Sequence, residues 1–108
     1  MKRLFKELVE MEDMKGVFLF SMDGKVIFEE TKEPLQKTIK EEKWLSTLNV
    51  AKDLDEIEFV YNNEKVFIRR TELGLLLLWM AVSAPLDMVK MNCDILLMIS
   101  KKFHKEKT

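Results

Sequence analysis

The stretch ELGLLLLWMAVSAPLD, residues 72–87, decides the fold, because it holds eight consecutive apolar residues from Leu75 to Val82. A membrane-spanning helix needs about 18 to 20 mostly apolar residues, and Pro85 closes this run well short of that. Gly74 and Pro85 at its ends, with a strand-like run just upstream, favour a strand over a short buried helix. A strand that is apolar on both faces must be covered on both. The run therefore predicts a central strand in a sheet that lies between helices.

The chain before this run supplies one helix, a hairpin and a second helix. Residues 3–14 carry apolar side chains at helical spacing. Residues 17–20 and 26–28 are strand-like and flank Asp23-Gly24, a pair that favours a tight hairpin turn. Residues 32–54 are polar with a loose apolar stripe, which predicts the middle helix.

Two more strands and a last helix flank the opening run. In residues 55–61, apolar side chains at positions 57, 59 and 61 alternate with Glu56, Glu58 and Val60. Asn62-Asn63 marks a turn into a strand over residues 66–70. From Ala84 onward the spacing is helical. One apolar face of this helix holds Leu86, Val89, Cys93, Leu96 and Phe103, and Ile95, Met98 and Ile99 are expected to widen it.

The order is therefore helix, strand, strand, helix, strand, strand, strand, helix. It predicts a single α+β domain over residues 1–108, with one five-stranded antiparallel sheet between helices. Hydrophobic residues make up 47% of the chain and charged residues 34%, which is typical of a globular domain.

Composition also limits the classes of partner. The formal net charge is −1, so no global basic field exists to hold a nucleic-acid backbone. A single cysteine rules out an intramolecular disulfide and suits a reducing compartment. The first residues contain no uninterrupted apolar segment of the kind found in signal peptides. We expect a cytoplasmic protein that neither binds nucleic acid nor inserts into a membrane.

The sequence carries no catalytic signature. Cys93 and His104 are the only residues of their kinds, and neither has a partner at metal-ligand spacing. With three glycines, the chain has no GxGxxG or GxxxxGK phosphate loop. We therefore expect no catalytic residue, no metal and no cofactor, which makes an enzyme the least favoured class.

Three stretches resemble the roadblock (dynein light-chain roadblock) family, whose fold is close to profilin and the longin domains. GVFLFSMDGKVIFEE, residues 16–30, resembles the family's first hairpin. Residues 57–82, IEFVYNNEKVFIRRTELGLLLLWMAV, resemble its three-strand meander, and residues 84–103, APLDMVKMNCDILLMISKKF, resemble its last helix. The resemblance implies the strand order second, first, fifth, fourth, third. It also implies that the first and last helices share one face of the sheet and the middle helix covers the other.

The resemblance further implies a non-enzymatic scaffold or regulator of Ras-like GTPases or motor complexes. Family members commonly dimerise by pairing third strands and middle helices, so we expect a homodimer and a small GTPase as partner. The third strand would lie at a sheet edge, where unpaired backbone groups can bind a second copy. The candidate interface residues are Trp44, Leu48, Ile57, Phe59 and Tyr61.

The alternative function is a small-ligand sensory domain of profilin-like or PAS-like shape. Such a domain needs a cavity with polar groups between the sheet and a helix. The density of apolar residues at 75–82 favours a filled core instead.

Overall fold

The structure, a computed structural model, confirms the α+β class and describes residues 2–32, 49–51, 53–61 and 63–107. Of the predicted middle helix, residues 32–54, only residues 32, 49–51, 53 and 54 are among those described. Residues 49–51 are helical, whereas residue 32 lies in a bend after β2 and residues 53 and 54 lie in the turn before β3. The elements are α1 (Lys2–Glu10), β1 (Met14–Phe20), β2 (Val26–Thr31), β3 (Glu56–Tyr61), β4 (Glu64–Thr71), β5 (Gly74–Ala81) and α2 (Leu86–Lys107).

The five strands form one antiparallel sheet in the order β2-β1-β5-β4-β3. This is the predicted order, with β5 at the centre and β2 and β3 at the edges. Every residue of β5 except Ala81 is buried. The strand ends at Ala81, so Val82, which was predicted to belong to the run, lies in the following turn and is 40% exposed.

Alternate residues of β5 face two separate cores. Leu76, Leu78 and Met80 pack on the face that carries α1 and α2, which we call the first face. Leu75, Leu77 and Trp79 pack on the opposite, second face. Because each large apolar side chain contributes about 1.5–3 kcal/mol when it is fully buried, neither face of this strand could be left open to water.

The first face is covered by α1 and α2 together, as the resemblance implies. Phe5 and Leu8 of α1 are buried there, and the Phe5 ring lies 5.1 Å from the ring of Phe28 in β2. Among the described side chains of α2, those of Val89, Cys93 and Leu96 are buried there.

The second face has a separate apolar cluster. Ala51, from the helical residues 49–51, is buried in it, and Ile57 and Phe59 of β3 pack against it. The described end of the middle helix therefore contacts the face that the resemblance assigns to it.

The first helix is shorter than predicted. It ends at Glu10 rather than Met14, and Met14 begins β1 and pairs with Met80 of β5. The amide of Ala81 donates a hydrogen bond to the Asp13 carbonyl, 2.9 Å away. Sheet pairing and the burial of Met14 outweigh the helical spacing, so β1 begins three residues before the predicted Val17.

The last helix buries a narrower face than predicted. Its residues 86, 89, 93 and 96 face the core as expected, and the side chain of Phe103 is outside the described part. Ile95, Met98 and Ile99 do not widen that face. They are 46%, 71% and 56% exposed, because the sheet and α1 contact only one side of α2.

A tight hairpin joins β4 to β5 at Gly74. The hydroxyl of Thr71 accepts hydrogen bonds from the amides of Leu73 and Gly74, 3.1 and 3.2 Å away. Gly74 has a φ of 136°, a conformation that residues with a Cβ rarely adopt. A Cβ at this position would also overlap the carbonyl oxygen of Phe20 in β1. The hairpin that leads into the central strand therefore requires glycine.

We expect Gly74→Ala to lower the free energy of unfolding by more than about 1 kcal/mol. A strained backbone residue alone costs about 1–3 kcal/mol, and the overlap of the new Cβ with the Phe20 carbonyl oxygen adds to that cost. Urea denaturation followed by circular dichroism measures the loss. An unchanged denaturation midpoint would show that the β4–β5 hairpin does not need the conformation described for it.

Candidate functional site

The candidate interface is the outer edge of the sheet at β3. Ile57 and Phe59 are half-buried and lie together on the second face, as their alternation predicts. Tyr61 ends the same strand, and its side chain is not among those described. Trp44 and Leu48 lie outside the described residues. The structure thus brings together two of the five predicted side chains and places the backbone of a third beside them.

The backbone of β3 is paired on one side. Residues Glu56 to Tyr61 pair with residues 64–69 of β4, and within the described part of the chain no strand lies on the other side. Edge strands offer N–H and C=O groups to a further strand. The β3 edge can therefore extend the sheet into another chain.

The other face of β3 carries two glutamates and one exposed valine. Glu56 accepts a hydrogen bond from Lys90 of α2 at 3.2 Å and lies 3.6 Å from the Arg69 guanidinium. Glu58 is exposed, and Val60 is 59% exposed. The two faces of one short strand thus differ, with apolar contacts on one and charges on the other.

A charged network joins β3 and β4 to α2. Arg69 contacts both Glu56 and Asp94, and Lys90 contacts Glu56 while its ammonium lies 5.6 Å from the centre of the Phe67 ring. Pairs that are this exposed contribute about 0–1 kcal/mol each, so the network orients α2 more than it stabilises the fold. Sequence reasoning missed it, because Glu56 and Lys90 are 34 positions apart and no local pattern links them.

The two neighbouring arginines contact different carboxylates. Arg69 contacts Asp94 and Glu56, whereas the Arg70 guanidinium contacts Asp55 at 2.7 Å. The Arg70 amide also donates to the Asp55 carbonyl at 2.9 Å, which fixes the start of β3. Because neighbours on a strand point to opposite faces, the two arginines pair with separate carboxylates and do not form one phosphate clamp.

The Asp23-Gly24 pair forms a turn, as predicted. Gly24 has a φ of 92°, and the Ser21 hydroxyl donates a hydrogen bond to the Asp23 carboxylate. That bond lowers the pKa of Asp23. Across the described residues, no group of three or more histidine, cysteine or acidic side chains could hold a metal ion.

Two open clefts flank α2. The larger, about 730 Å³, lies between α2 and the β4–β5 hairpin, and its charged lining includes Asp55, Arg69, Arg70 and Asp94. The smaller, about 340 Å³, lies where α2 begins, and methionines 11, 14, 80 and 88 line it. The buried residues of the described ranges are all apolar, so no polar side chain is buried between the sheet and the helices there.

A second apolar surface lies on the outside of α2. We call it the α2 stripe, and it consists of Met88, Met91, Ile95, Met98 and Ile99. The signal was available in the sequence, since positions 88, 91, 95 and 98 repeat at three and four residues. They do so on the opposite side of the helix from the core-facing residues.

Comparison with known proteins supports the fold. No protein-family model matches the sequence, and no curated protein gives a significant match. Among solved structures, the crystal structure of a Roadblock/LC7 domain from Streptomyces avermitilis is similar, with a TM-score of 0.69 over 97% of this chain and 98% of that one. At 11% sequence identity this similarity concerns the fold. The chain therefore has a roadblock-like fold, as the sequence resemblance indicated.

Among the residues that the structure describes, no helix combines the length and the apolar character that a membrane span needs.

We expect Cys93 to resist alkylation in the folded protein. It is completely buried, and burial raises the pKa of its thiol to about 12 from an ordinary value of 9.0. At pH 8 the thiolate that attacks iodoacetamide is therefore scarce and enclosed. Because the folded pKa is the higher one, the thiol's contribution to stability is complete below pH 9 and is lost as the pH rises toward 12.

Mass spectrometry after brief iodoacetamide treatment at pH 8 measures the modification, with and without urea. A Met88→Cys variant supplies an exposed thiol on the same helix as the control. Equal labelling of Cys93 in the folded and unfolded protein would contradict its placement in the core.

Proposed function

We propose that the protein is a non-enzymatic interaction module that forms a homodimer through β3 and the middle helix and binds a small Ras-like GTPase. One observation carries the proposal: in a roadblock-like fold, β3 is an edge strand with Ile57 and Phe59 side by side on one face. The GTPase follows from the sequence resemblance to the roadblock family.

Antiparallel pairing of two β3 strands would join the sheets of two copies. Ile57 and Phe59 would continue the second face across the join. Full burial of such a side chain contributes about 1.5–3 kcal/mol, and these two, already half-buried, would gain part of that. The pairing also satisfies backbone groups along a strand of six residues.

The acidic residues of β3 oppose this pairing only weakly. In a pair centred near Glu58, like charges oppose one another at a cost of about 0.2–1 kcal/mol each. Glu56 already contacts Lys90 and Arg69, which offset its charge. Glu58 is then the main source of repulsion, and the gain from apolar burial exceeds it.

We expect Phe59→Lys to weaken the homodimer, because a lysine at the join cannot be buried beside its copy. Analytical ultracentrifugation at micromolar concentration measures the mass, and circular dichroism checks the fold. Val26→Lys is the matched control, since Val26 lies on the opposite edge strand and is 52% exposed. A wild-type monomer would mean that the acidic edge prevents pairing, and the homodimer would then be abandoned.

We expect Glu58→Thr to tighten the same homodimer up to about fivefold, because it removes a like-charge pair of up to about 1 kcal/mol. Glu58 is exposed, so this change leaves the core intact. The dissociation constant is measured by sedimentation equilibrium. An unchanged constant together with a stable dimer would indicate that the copies associate through another surface.

The GTPase part of the proposal needs its own experiment. Ras-like GTPases encoded in the same genome, loaded with GDP or a GTP analogue, are titrated against the wild-type protein by calorimetry. We expect one of them to bind, and Phe59→Lys to weaken that binding with the homodimer. A wild-type homodimer that binds none of them would refute the GTPase partner and leave the dimer standing.

The small-ligand alternative has less support. The larger cleft is open, and its charged lining is occupied by the Arg69–Asp94 and Arg70–Asp55 pairs. A sensory domain of PAS-like shape requires an enclosed site with polar groups inside the core, whereas the buried residues described here are apolar.

A further inference from the structure

Half of the chain's eight methionines line the smaller cleft, where α2 begins. Met11 comes from the turn between α1 and β1, Met14 from β1, Met80 from β5 and Met88 from α2. No local pattern in the sequence joins these positions, and the fold brings them together around an open space of about 340 Å³. We call these four residues and the space between them the methionine cleft.

Two of the four methionines form the floor of the methionine cleft. Met14 and Met80 are opposite each other in the β1–β5 pairing, and both are buried on the first face. Side chains in such a pair have Cβ atoms about 4.5–5.5 Å apart. Because methionine is unbranched and has three rotatable bonds, both thioethers can reach one point above the sheet.

The other two methionines lie at the opening of the cleft. Met11 is half-buried, and its Sδ accepts a hydrogen bond from the Nδ2 of Asn92 in α2, 3.6 Å away. Met88 is 53% exposed. A thioether sulfur is a weak acceptor, and the contact with Asn92 holds the Met11 sulfur toward α2. Neither side chain is fully buried, so both can adjust to an ion between them.

The charge around the methionine cleft favours a cation. Glu12 and Asp13 line it beside the methionines, and no lysine or arginine is among the described residues that line it. The other lining residues are uncharged. Two carboxylates next to a space with apolar walls raise the local concentration of cations.

The donor atoms determine which cation fits. Magnesium and calcium require several oxygen ligands, whereas zinc is held by cysteine, histidine and carboxylate groups. Across the described residues, no three or more histidine, cysteine or acidic side chains group in a way that could hold a metal. Thioethers are soft ligands and select Cu(I).

We propose that the methionine cleft binds Cu(I) through its thioethers, with the two neighbouring carboxylates balancing the charge. Binding is an exchange of ligands, and the oxidation state of the copper does not change. Core packing accounts for Met14 and Met80, but it does not account for the exposed Met88 or for two carboxylates in the same lining. The site shares no residue with the β3 edge, so the inference does not rest on the proposed function.

Calorimetric titration with silver(I) nitrate in chloride-free buffer tests the site, because Ag(I) has the charge and the soft-ligand preference of Cu(I). Silver also binds thiols, so the variants are made in the full-length Cys93→Ala background, which is itself compared with the wild type. We expect both to bind one Ag(I) per chain. Absence of saturable binding in the Cys93→Ala protein, with its fold checked by circular dichroism, would overturn the proposal.

Methionine-to-leucine changes locate the ion, since this exchange nearly conserves side-chain volume. We expect Met11→Leu and Met88→Leu each to weaken Ag(I) binding by at least about tenfold, a loss that even outer ligand partners of a metal can cause. Met91→Leu is the matched control, because Met91 is 54% exposed on the same helix and does not line the cleft. An equal loss in Met91→Leu, or no loss in Met88→Leu, overturns the site.

X-ray absorption at the copper edge identifies the ligands directly. The wild-type protein is produced with selenomethionine and loaded with Cu(I) under anaerobic conditions with ascorbate. We expect selenium in the first shell of the copper, which only methionine can supply. A first shell of oxygen and nitrogen, or of sulfur from Cys93, would refute binding by the methionine cleft.

Discussion

The structure depends on one constraint: the central strand is apolar on both faces. Leu76 and Leu78 require cover on the first face, and Leu75 and Leu77 require it on the second. Strands on both sides must also pair its backbone, which β1 and β4 do along nearly its whole length. The hairpin at Gly74 connects β4 to β5 and so places β5 beside β4. The central place of β5 between β1 and β4, and the packing of α1 and α2 on the first face, meet the need to enclose this one segment.

Local patterns were sufficient to predict most helices and strands and the central place of β5, whereas the full strand order came from the resemblance to the roadblock family. The turn residues predicted the hairpins. Asn63, for example, has a φ of 62°, which is the left-handed conformation that such a turn requires. Boundaries that depend on distant partners could not be read in this way. Met14 continues a helical spacing in the sequence, yet it belongs to β1 because Met80 lies opposite it. A local pattern contains no information about a residue 66 positions away.

Of the two candidate surfaces, one could be predicted from local patterns and the other depends on contacts between distant residues. The β3 edge was predictable because alternation assigns Ile57 and Phe59 to one face, and the sheet order places that strand outermost. The α2 stripe was only partly predictable, although its spacing is visible in the sequence, because α2 carries two apolar lines of the same period. Periodicity alone cannot decide which line faces the sheet. That decision depends on what each side of the helix meets in three dimensions.

The charged network explains which line of α2 is buried. Lys90 and Asp94 are one turn apart on the side of α2 nearest β3, where they contact Glu56 and Arg69. Turning the helix by half a revolution would bury the line that contains Ile95, but it would separate both ion pairs. If the two apolar lines of α2 would bury similar areas, weak surface ion pairs of about 0–1 kcal/mol each are enough to determine which line faces the sheet. The same contacts that fix α2 on the sheet therefore leave the α2 stripe facing outward.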